Sequence, residues 1–208
     1  MEDIVEKTNK EYMHEILMGL KNLNYIKPEE IPNLDLYMDQ LTTFMDGHLE
    51  STRRFSDDKL LTKTMINNYT KNKLLPPPNK KKYSKEHILL LIFIYYFKNI
   101  LSISDIQEIF GPLTENFYGG EGELSLEQVY EEILSLQEEE ARKLTKDVVK
   151  KFQRSETMFS AVKGEENREF LRTFSFICMI SFDIYVKRVI IERLIDTQLK
   201  EETNKSKK

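Results

Sequence analysis

The chain has few of the residues that catalytic and metal sites need. Its 208 residues include one cysteine, three histidines and no tryptophan. The single cysteine, Cys178, excludes an intrachain disulfide and a cysteine-rich metal site. The histidines lie far apart, at positions 14, 48 and 87, and lack the spacing of a zinc-binding helix. No nucleophile, base and orienting group occur together in a pattern. We therefore expect a protein that is not an enzyme and binds no metal or cofactor.

Helix breakers and long apolar runs are also scarce. Seven glycines and six prolines cluster in a few places and leave long segments with helical periodicity, which predicts an all-α fold. The longest uncharged apolar runs, Ile88 to Phe97 and Thr173 to Phe182, span ten residues each, about half of the ~20 that cross a bilayer. The N-terminus lacks the apolar core of a secretory signal. We expect a soluble cytoplasmic protein without a membrane segment.

Acidic residues are missing from one window of an otherwise acidic chain. Between Lys59 and Lys85 there are eight lysines and no aspartate or glutamate. The rest of the sequence holds 23 basic and 35 acidic residues, which gives the whole chain a net charge of −4. Because a solvated face normally mixes signs, a local basic surface of this kind favours a polyanionic partner.

Periodicity and capping residues divide the chain into helices. Thr62, Ser84 and Ser102 are good N-caps, and Asp105 completes a capping-box pattern with Ser102. We predict a second helix that starts at Asn33 or Asp35 and runs to about Leu49. The other predicted helices are Glu2–Leu23, a short helix after Thr62, one from Ser84 to about Asn99, one after Ser102, and two long ones over Ser125–Val162 and Glu166–Lys200.

Domain boundaries follow from the same breaks. The segment 111–122 holds four of the seven glycines and is the best boundary. We predict an N-terminal helix over 1–30, a DNA-binding domain over 31–111, a C-terminal helical hairpin over 123–200 and a disordered tail over 201–208.

The short helix after Thr62 presents two different faces. Met65, Ile66 and Tyr69 fall on the inner face together with Leu61, and the outer face carries Lys63, Thr64, Asn67, Asn68 and Lys71. Asparagine pairs bidentately with adenine, threonine contacts base edges, and lysines neutralise phosphates. A core helix, a short helix and a basic turn follow one another in the order of a winged helix-turn-helix, although the loop over 50–59 is longer than a standard turn.

The run INNYTKNKLLPPPNKKKYSKEHILLLIFIYYFKNILSISDIQEIF resembles the DNA-binding half of MerR-type regulators. Their pattern is a recognition helix ending in Tyr-Tyr-Glu, a Gly-Leu-Leu-Pro turn and a basic wing that closes on Tyr-Ser. The chain is still more similar to a family of uncharacterised bacterial proteins, known as a domain of unknown function (DUF), that share LYMDQ, LTKTMINNYTKN and PPPxKKKYSKEHI. The resemblance covers about Leu34 to Phe110.

The resemblance implies roles for single residues. Tyr69 lies where the MerR-type pattern has its second tyrosine, Lys81 where an arginine of the wing grips phosphate, and Tyr83 where the wing closes. The pattern's arginine, first tyrosine and glutamate are replaced by Asn67, Asn68 and Thr70. The wing is also shorter and lacks its glycine, so a different base preference is expected.

Together these inferences predict a MerR-like winged helix-turn-helix followed by a pair of long helices, acting as a sequence-specific transcriptional regulator on double-stranded DNA. The predicted base-reading residues are Thr64, Asn67, Asn68 and Lys71. The predicted phosphate contacts are Lys63, Tyr69, Lys73, Lys80, Lys81, Lys82, Tyr83 and Lys85. The alternative is a protein-interaction module that uses the same fold without binding DNA.

The last helix is apolar over more than one stripe, so it should be covered on two sides. A homodimer supplies one cover and doubles the basic face for a palindromic site, while packing within one chain is the rival interpretation. The predicted dimer interface comprises Phe174, Phe176, Ile177, Ile180, Ile184 and Val189. The excess of apolar residues also leaves room for a small apolar effector in the C-terminal helices.

Overall fold

A computed structural model describes residues 9–21, 26–120 and 124–199 of the chain. These residues form seven α-helices and one sheet of two short strands, so the predicted all-α class is confirmed. The predicted disordered tail and both ends of the first predicted helix lie outside the described residues. In chain order the elements are α1 (Asn9–Lys21), β1 (Leu36–Tyr37), α2 (Met38–His48), α3 (Lys63–Lys71), β2 (Lys82–Tyr83), α4 (Lys85–Phe97), α5 (Ile103–Phe117), α6 (Leu126–Glu156) and α7 (Glu165–Leu194).

Helix α4 is the centre of the hydrophobic core. Nine of its thirteen residues, His87 to Tyr95, are buried, which explains why the helix is apolar on all sides rather than along one stripe. Its ring side chains contact other elements at the far end, where Phe93 packs edge-on against Tyr130 at 5.4 Å and Phe97 against Phe110 at 6.1 Å between ring centroids. The apolar run Ile88 to Phe97, which is about half as long as a membrane span, therefore lies in an internal helix of a small core.

Capping side chains set the starts of three helices where the sequence predicts them. Thr62 accepts a hydrogen bond from the backbone N–H of Met65 at 3.2 Å, and Ser102 accepts one from Asp105 at 3.2 Å. At α6, Ser125 and Gln128 exchange a reciprocal pair of such bonds. Each bond satisfies an N–H group that has no partner inside its own helix.

The sequence pattern does not predict the two strands. Leu36 pairs with Tyr83 and Tyr37 with Lys82 in antiparallel register. The second helix consequently begins at Met38, later than the predicted start at Asn33 or Asp35. Pairing between segments more than forty residues apart leaves no local periodicity in strands of two residues.

Helix α5 continues past the predicted domain boundary. The predicted boundary begins at Gly111, but the helix runs through Gly111 and Pro112 to Phe117. One face of the helix is buried or half-buried along its length. The free energy gained by this burial outweighs the poor helical propensity of Gly111 and Pro112. The glycines that end the helix are Gly119 and Gly120, which have positive φ angles of 94° and 72°.

The core also crosses the segment that we predicted to separate two domains. Leu126 and Tyr130, in the first turns of α6, belong to the same buried cluster as α4, and the hydroxyl of Tyr130 donates to the carbonyl of Ile26 at 2.6 Å. Ile195, just after α7, is buried in the same cluster. The start of α6 and the end of α7 are therefore fixed to the core.

The remaining parts of α6 and α7 form a long antiparallel hairpin. The helices touch through Phe152 and Phe176, whose ring centroids are 5.6 Å apart, and through an ion pair of Lys151 with Asp183. Helix α6 ends at Glu156, short of the predicted Val162. No residue of α7 from Glu165 to Leu194 is buried, so packing among the described residues does not provide the predicted double cover. None of the described helices has the length and apolar content that a membrane span requires.

Candidate functional site

Helix α3 has the two faces that the sequence predicts. Ile66 and Tyr69 are buried, Leu61 just before the helix is buried with them, and Met65 is half-buried. The five residues predicted to face outward are all exposed: Lys63, Thr64, Asn67, Asn68 and Lys71. The outer face therefore offers two amides, a hydroxyl and two ammonium groups to a partner.

A tight turn occupies the segment predicted to be a wing, residues 79–83, for which we keep that name. The backbone N–H of Lys82 donates to the carbonyl of Asn79 at 2.9 Å, and the two residues form an isolated bridge. Lys80 and Lys81 occupy the central positions with φ angles of 48° and 67°. Positive φ at both central positions is the signature of a type I′ turn, in which asparagine and glycine are favoured. The wing is thus a two-residue turn, and its outgoing strand β2 pairs with β1.

A third lysine has the same unusual backbone conformation at the end of α3. Lys73 has a φ angle of 57°. Its N–H donates to the carbonyl of Thr70, and the next N–H, that of Leu74, reaches back to the carbonyl of Tyr69 at 2.9 Å. This bonding pattern is a Schellman motif, in which the left-handed position is usually glycine. Leu74 and Tyr69, the two positions that usually make the apolar contact of this motif, are both buried in the core cluster.

Side-chain contacts connect the start of α3 to the base of the wing. Lys63 forms an ion pair with Asp39 in the first turn of α2. Two residues earlier, Tyr37 in β1 places its ring under the ammonium group of Lys82, 5.1 Å from the ring centroid. The first turn of α3 and the outgoing strand of the wing therefore meet at the same corner between β1 and α2.

Three of the predicted phosphate contacts are buried or paired within the chain. Tyr69 and Tyr83 are buried, with 6% and 3% of their surface exposed, and burial raises the pKa of both phenols. Both side chains support the surface from inside. Lys85 is held by Glu127 of α6, with 2.6 Å between Nζ and the carboxylate oxygen. Its charge is neutralised by a residue that lies 42 positions away in the chain.

Five exposed lysines of the acid-free window form no ion pair with a described residue: Lys59, Lys71, Lys73, Lys80 and Lys81. Lys59 follows Asp57 and Asp58 in the loop before α3, and we call the other four the basic surface. Lys82 is half-buried on the ring of Tyr37, and Lys63 shares its charge with Asp39. The acid-free window thus contributes fewer free charges than its eight lysines suggest.

A long connection replaces the tight turn of a standard helix-turn-helix. Residues 49–62 join α2 to α3. Arg53 attaches this loop to α2 through Asp46, at 2.6 Å. The carboxylate of Asp58 accepts hydrogen bonds from the backbone N–H groups of Arg54 and Phe55. These local contacts give the loop a defined shape but do not produce the three- or four-residue turn of known DNA-binding pairs.

His87 is a buried residue to which the sequence pattern assigns no role. It is 3% exposed, and its Nδ1 accepts a hydrogen bond from the backbone N–H of Ser84 at 3.0 Å, directly after the wing. The hydroxyl of Tyr118 lies 3.1 Å from Nε2, and the ring of Tyr83 packs edge-on against the imidazole. His87 therefore joins the exit of the wing to the end of α5. A histidine three residues after a serine N-cap is the only sequence signal of this role.

Burial lowers the pKa of the His87 imidazole, while the backbone carbonyls of Pro77 and Pro76 and the charge of Asp35 act in the opposite direction. The folded protein therefore binds this proton less readily than the unfolded chain. The free energy of unfolding should be highest above the ordinary histidine pKa of about 6.5. It should fall as the pH drops from there through the folded pKa, by at most about 1.4 kcal/mol per pH unit.

His87→Asn tests this expectation, because the amide oxygen can still accept from Ser84 but cannot titrate. We expect the variant to be less stable than wild type at pH 7.5 and to lose less additional stability on acidification towards pH 5.5. Urea unfolding at both pH values measures the difference. His48→Asn, at an exposed position of α2, is the matched control. Equal pH dependence in wild type and His87→Asn would contradict the role of His87.

Two cavities are found near α2 and none of their lining residues comes from α6 or α7. The larger, of about 610 Å³, is a cleft between α2 and the loop after it, and it is lined by Asp46, Arg53, Asp58 and their neighbours. The smaller, of about 460 Å³, lies between α2 and the segment that leads into β1. In the described part of the chain no three histidine, cysteine or acidic side chains group as a metal site would require. A small apolar effector stays a prediction.

Comparison with known proteins gives one match. Residues 26–133 match the family model described as Domain of unknown function (DUF1836). No curated protein and no solved structure matches the chain. The matched region contains α3 and the basic surface, and it ends inside α6, shortly after the buried residue Tyr130. The match spans just over half of the 208 residues, and the chain therefore belongs to the DUF1836 family.

Proposed function

We propose that this protein is a sequence-specific DNA-binding transcriptional regulator. Helix α3 would enter the major groove and the wing would lie on the phosphate backbone. Support comes from an exposed helix face that carries amides and a hydroxyl, together with the basic surface, whose four lysines form no ion pair within the described ranges. The MerR-like winged arrangement that the sequence resembles belongs to the same proposal.

The proposed contacts fall into two classes. Asn67 and Asn68 would read base edges, since an asparagine amide pairs bidentately with adenine, and Thr64 would contact a base or a thymine methyl group. Lys71 would lie beside them at the last turn of α3. The basic surface would hold phosphates, and these contacts would position the protein without reading sequence.

The observation that carries the proposal is the backbone conformation of three lysines. Among the described residues, four that are not glycine have positive φ, and three of them are Lys73, Lys80 and Lys81. A left-handed conformation costs an ordinary L-residue about 1–2 kcal/mol, and glycine or asparagine would avoid most of that cost. Lysine at all three positions indicates that the charges are useful enough to offset the strain, as is common at functional sites.

Base reading and phosphate binding predict different effects of substitution. Asn67→Ala should reduce discrimination between a selected duplex and one altered at a single base pair by about 1–3 kcal/mol, with a smaller effect on binding to unrelated DNA. Lys71, predicted from the sequence to read bases, is placed with the phosphate contacts in this proposal because it belongs to the basic surface. Lys71→Ala, one turn further along α3, should therefore weaken binding to all duplexes similarly. The measurement is a random-site selection followed by binding titrations. Failure of the selection to enrich any sequence would refute sequence-specific binding.

A second candidate function is a protein-interaction module with no DNA binding. The 14-residue connection over 49–62 favours it, because such a length departs from the tight turn of DNA-binding helix pairs. In that case the lysines would dock an acidic protein. Substitution of Asn67 would then leave binding to every duplex unchanged.

A further inference from the structure

Helix α7 carries an apolar stripe that nothing in the described chain covers. Phe170, Phe174, Ile177 and Ile184 have between 53% and 67% of their surface exposed. Their spacings of four, three and seven residues place them on one face of the helix. Ser181, also exposed, lies in the same row between Ile177 and Ile184. Soluble monomers rarely expose a continuous apolar row of this kind, which typically marks an interaction site.

The stripe faces away from α6. Phe176 and Asp183 point towards α6, where they contact Phe152 and Lys151. At 100° per residue, the exposed row lies about 120° around the helix from Phe176. Three of the residues that we predicted for a dimer interface, Phe176, Ile180 and Val189, are half-buried within the chain. Only Phe174, Ile177 and Ile184 of that prediction belong to the open row.

The charges at the two ends of the row are opposite and equally far from its centre. Glu166 lies eleven residues before Ile177, and Arg188 lies eleven residues after it. Both are exposed and both fall on the same face as the apolar row. Within its own helix Arg188 also forms an ion pair with Glu192, at 2.8 Å, and would be shared between the two carboxylates. Phe170 and Ile184 are likewise seven residues on either side of Ile177. Reversing the direction of the helix therefore places acid opposite base and apolar side chain opposite apolar side chain.

We propose that α7 binds α7 of a second copy of this chain, antiparallel, with the two-fold axis at Ile177. Each Glu166 would meet Arg188 of the other copy, and each Phe170 would meet Ile184. Phe174 would lie over the small side chain of Ser181 in the copy. A two-fold contact requires a self-complementary surface, and this row satisfies that requirement in one register.

The energetic roles of the two kinds of contact differ. Burial of the apolar side chains would drive association, at about 25 cal/mol per Å² of apolar surface removed from water. The exposed pairs of Glu166 with Arg188 would add little affinity. They would select the antiparallel direction, because a parallel arrangement places like charges next to each other.

Single-cysteine crosslinking tests the geometry in the full-length chain. All variants carry Cys178→Ser, which removes the one native thiol. In that background Ile177→Cys should be crosslinked to itself by a short bismaleimide, because a residue on the axis faces its copy across helices about 8–10 Å apart. Phe170→Cys should not, since its copy would be about 21 Å away at ~1.5 Å per residue. A mixture of Phe170→Cys with Ile184→Cys should crosslink.

Each alternative has its own result. Self-crosslinking of Phe170→Cys would indicate a parallel pair and overturn the proposal. A monomeric mass for the wild-type chain at about 50 µM in sedimentation experiments, a concentration far above the dissociation constant of a stable dimer, would overturn it as well.

Charge exchange gives an independent check, because Glu166→Arg should weaken dimerisation about tenfold and the double variant with Arg188→Glu should restore it. These tests do not involve DNA, so their failure leaves the proposed function open and failed DNA binding leaves the dimer open.

Discussion

Replacing the two central lysines of the wing with asparagine and glycine should make the protein more stable and a weaker DNA binder. In Lys80→Asn/Lys81→Gly we expect the free energy of unfolding to rise by about 1 kcal/mol, because Asn-Gly suits the positive φ angles of this turn. The affinity for duplex DNA should fall about 100-fold, since two charge-assisted contacts worth about 1.5 kcal/mol each are lost. Urea unfolding and duplex titration measure the two effects separately.

Matched variants separate charge from backbone strain. Lys80→Ala/Lys81→Ala removes the same charges but keeps a side chain at both left-handed positions, so affinity should fall without a gain in stability. Lys146→Ala/Lys150→Ala removes two exposed lysines of α6 and should leave DNA affinity within about twofold of wild type, as expected for charges far from the contact. Equal losses of affinity in the wing and α6 variants would show that net charge alone is responsible.

Replacing one leucine in the middle of α4 with alanine should strongly reduce the stability of the folded protein. Leu90 is 0% exposed and lies inside the helix that supports the exit of the wing. We expect Leu90→Ala to lower the free energy of unfolding by about 3–5 kcal/mol, through lost burial and the cavity left behind. That is a large part of the 5–15 kcal/mol typical of a whole domain. Thermal and urea unfolding followed by circular dichroism measure it.

Leu34 provides the matched control for this substitution. It is 62% exposed in the segment before β1, so Leu34→Ala should change the free energy of unfolding by less than about 0.5 kcal/mol. A loss below about 1 kcal/mol in Leu90→Ala would mean that α4 is not the centre of the core.

Elements with strong local signals could be predicted from the sequence. Thr62, Ser102 and Ser125 mark helix starts because their hydroxyl groups accept hydrogen bonds from the N–H groups three residues ahead. The inner and outer faces of α3 also follow from local spacing, and every residue predicted to face outward does so. These features depend on contacts within one or two helical turns.

Features set by distant parts of the chain could not be predicted in the same way. The strands exist because Leu36 and Tyr83 meet across 47 positions, and nothing in two residues of sequence indicates a partner. Helix α5 passes through Gly111 and Pro112 because burial of its inner face outweighs local propensity. Both differences arise from tertiary packing.

The same limit applies to the candidate site. Counting charges in the sequence includes Lys85 among the free lysines of the acid-free window. Its ion-pair partner, Glu127, lies in another helix and is not recognisable from the sequence. The resemblance suggests phosphate contacts by Tyr69 and Tyr83, whereas the core needs both rings. Conversely, the proposed function rests largely on the positive φ angles of Lys73, Lys80 and Lys81. The sequence could not predict these angles, because lysine rarely adopts that conformation.

The salt dependence of duplex binding tests the central proposal most directly. If the basic surface holds phosphates, the logarithm of the wild-type affinity should fall linearly with the logarithm of salt concentration, by about 0.9 for each phosphate neutralised. Four lysines on one copy predict a slope of about −3.6 per chain, and Lys80→Asn/Lys81→Gly should reduce its magnitude by about 1.8. A wild-type protein that binds no duplex at about 50 mM salt, or whose slope is unchanged in that variant, would contradict the account.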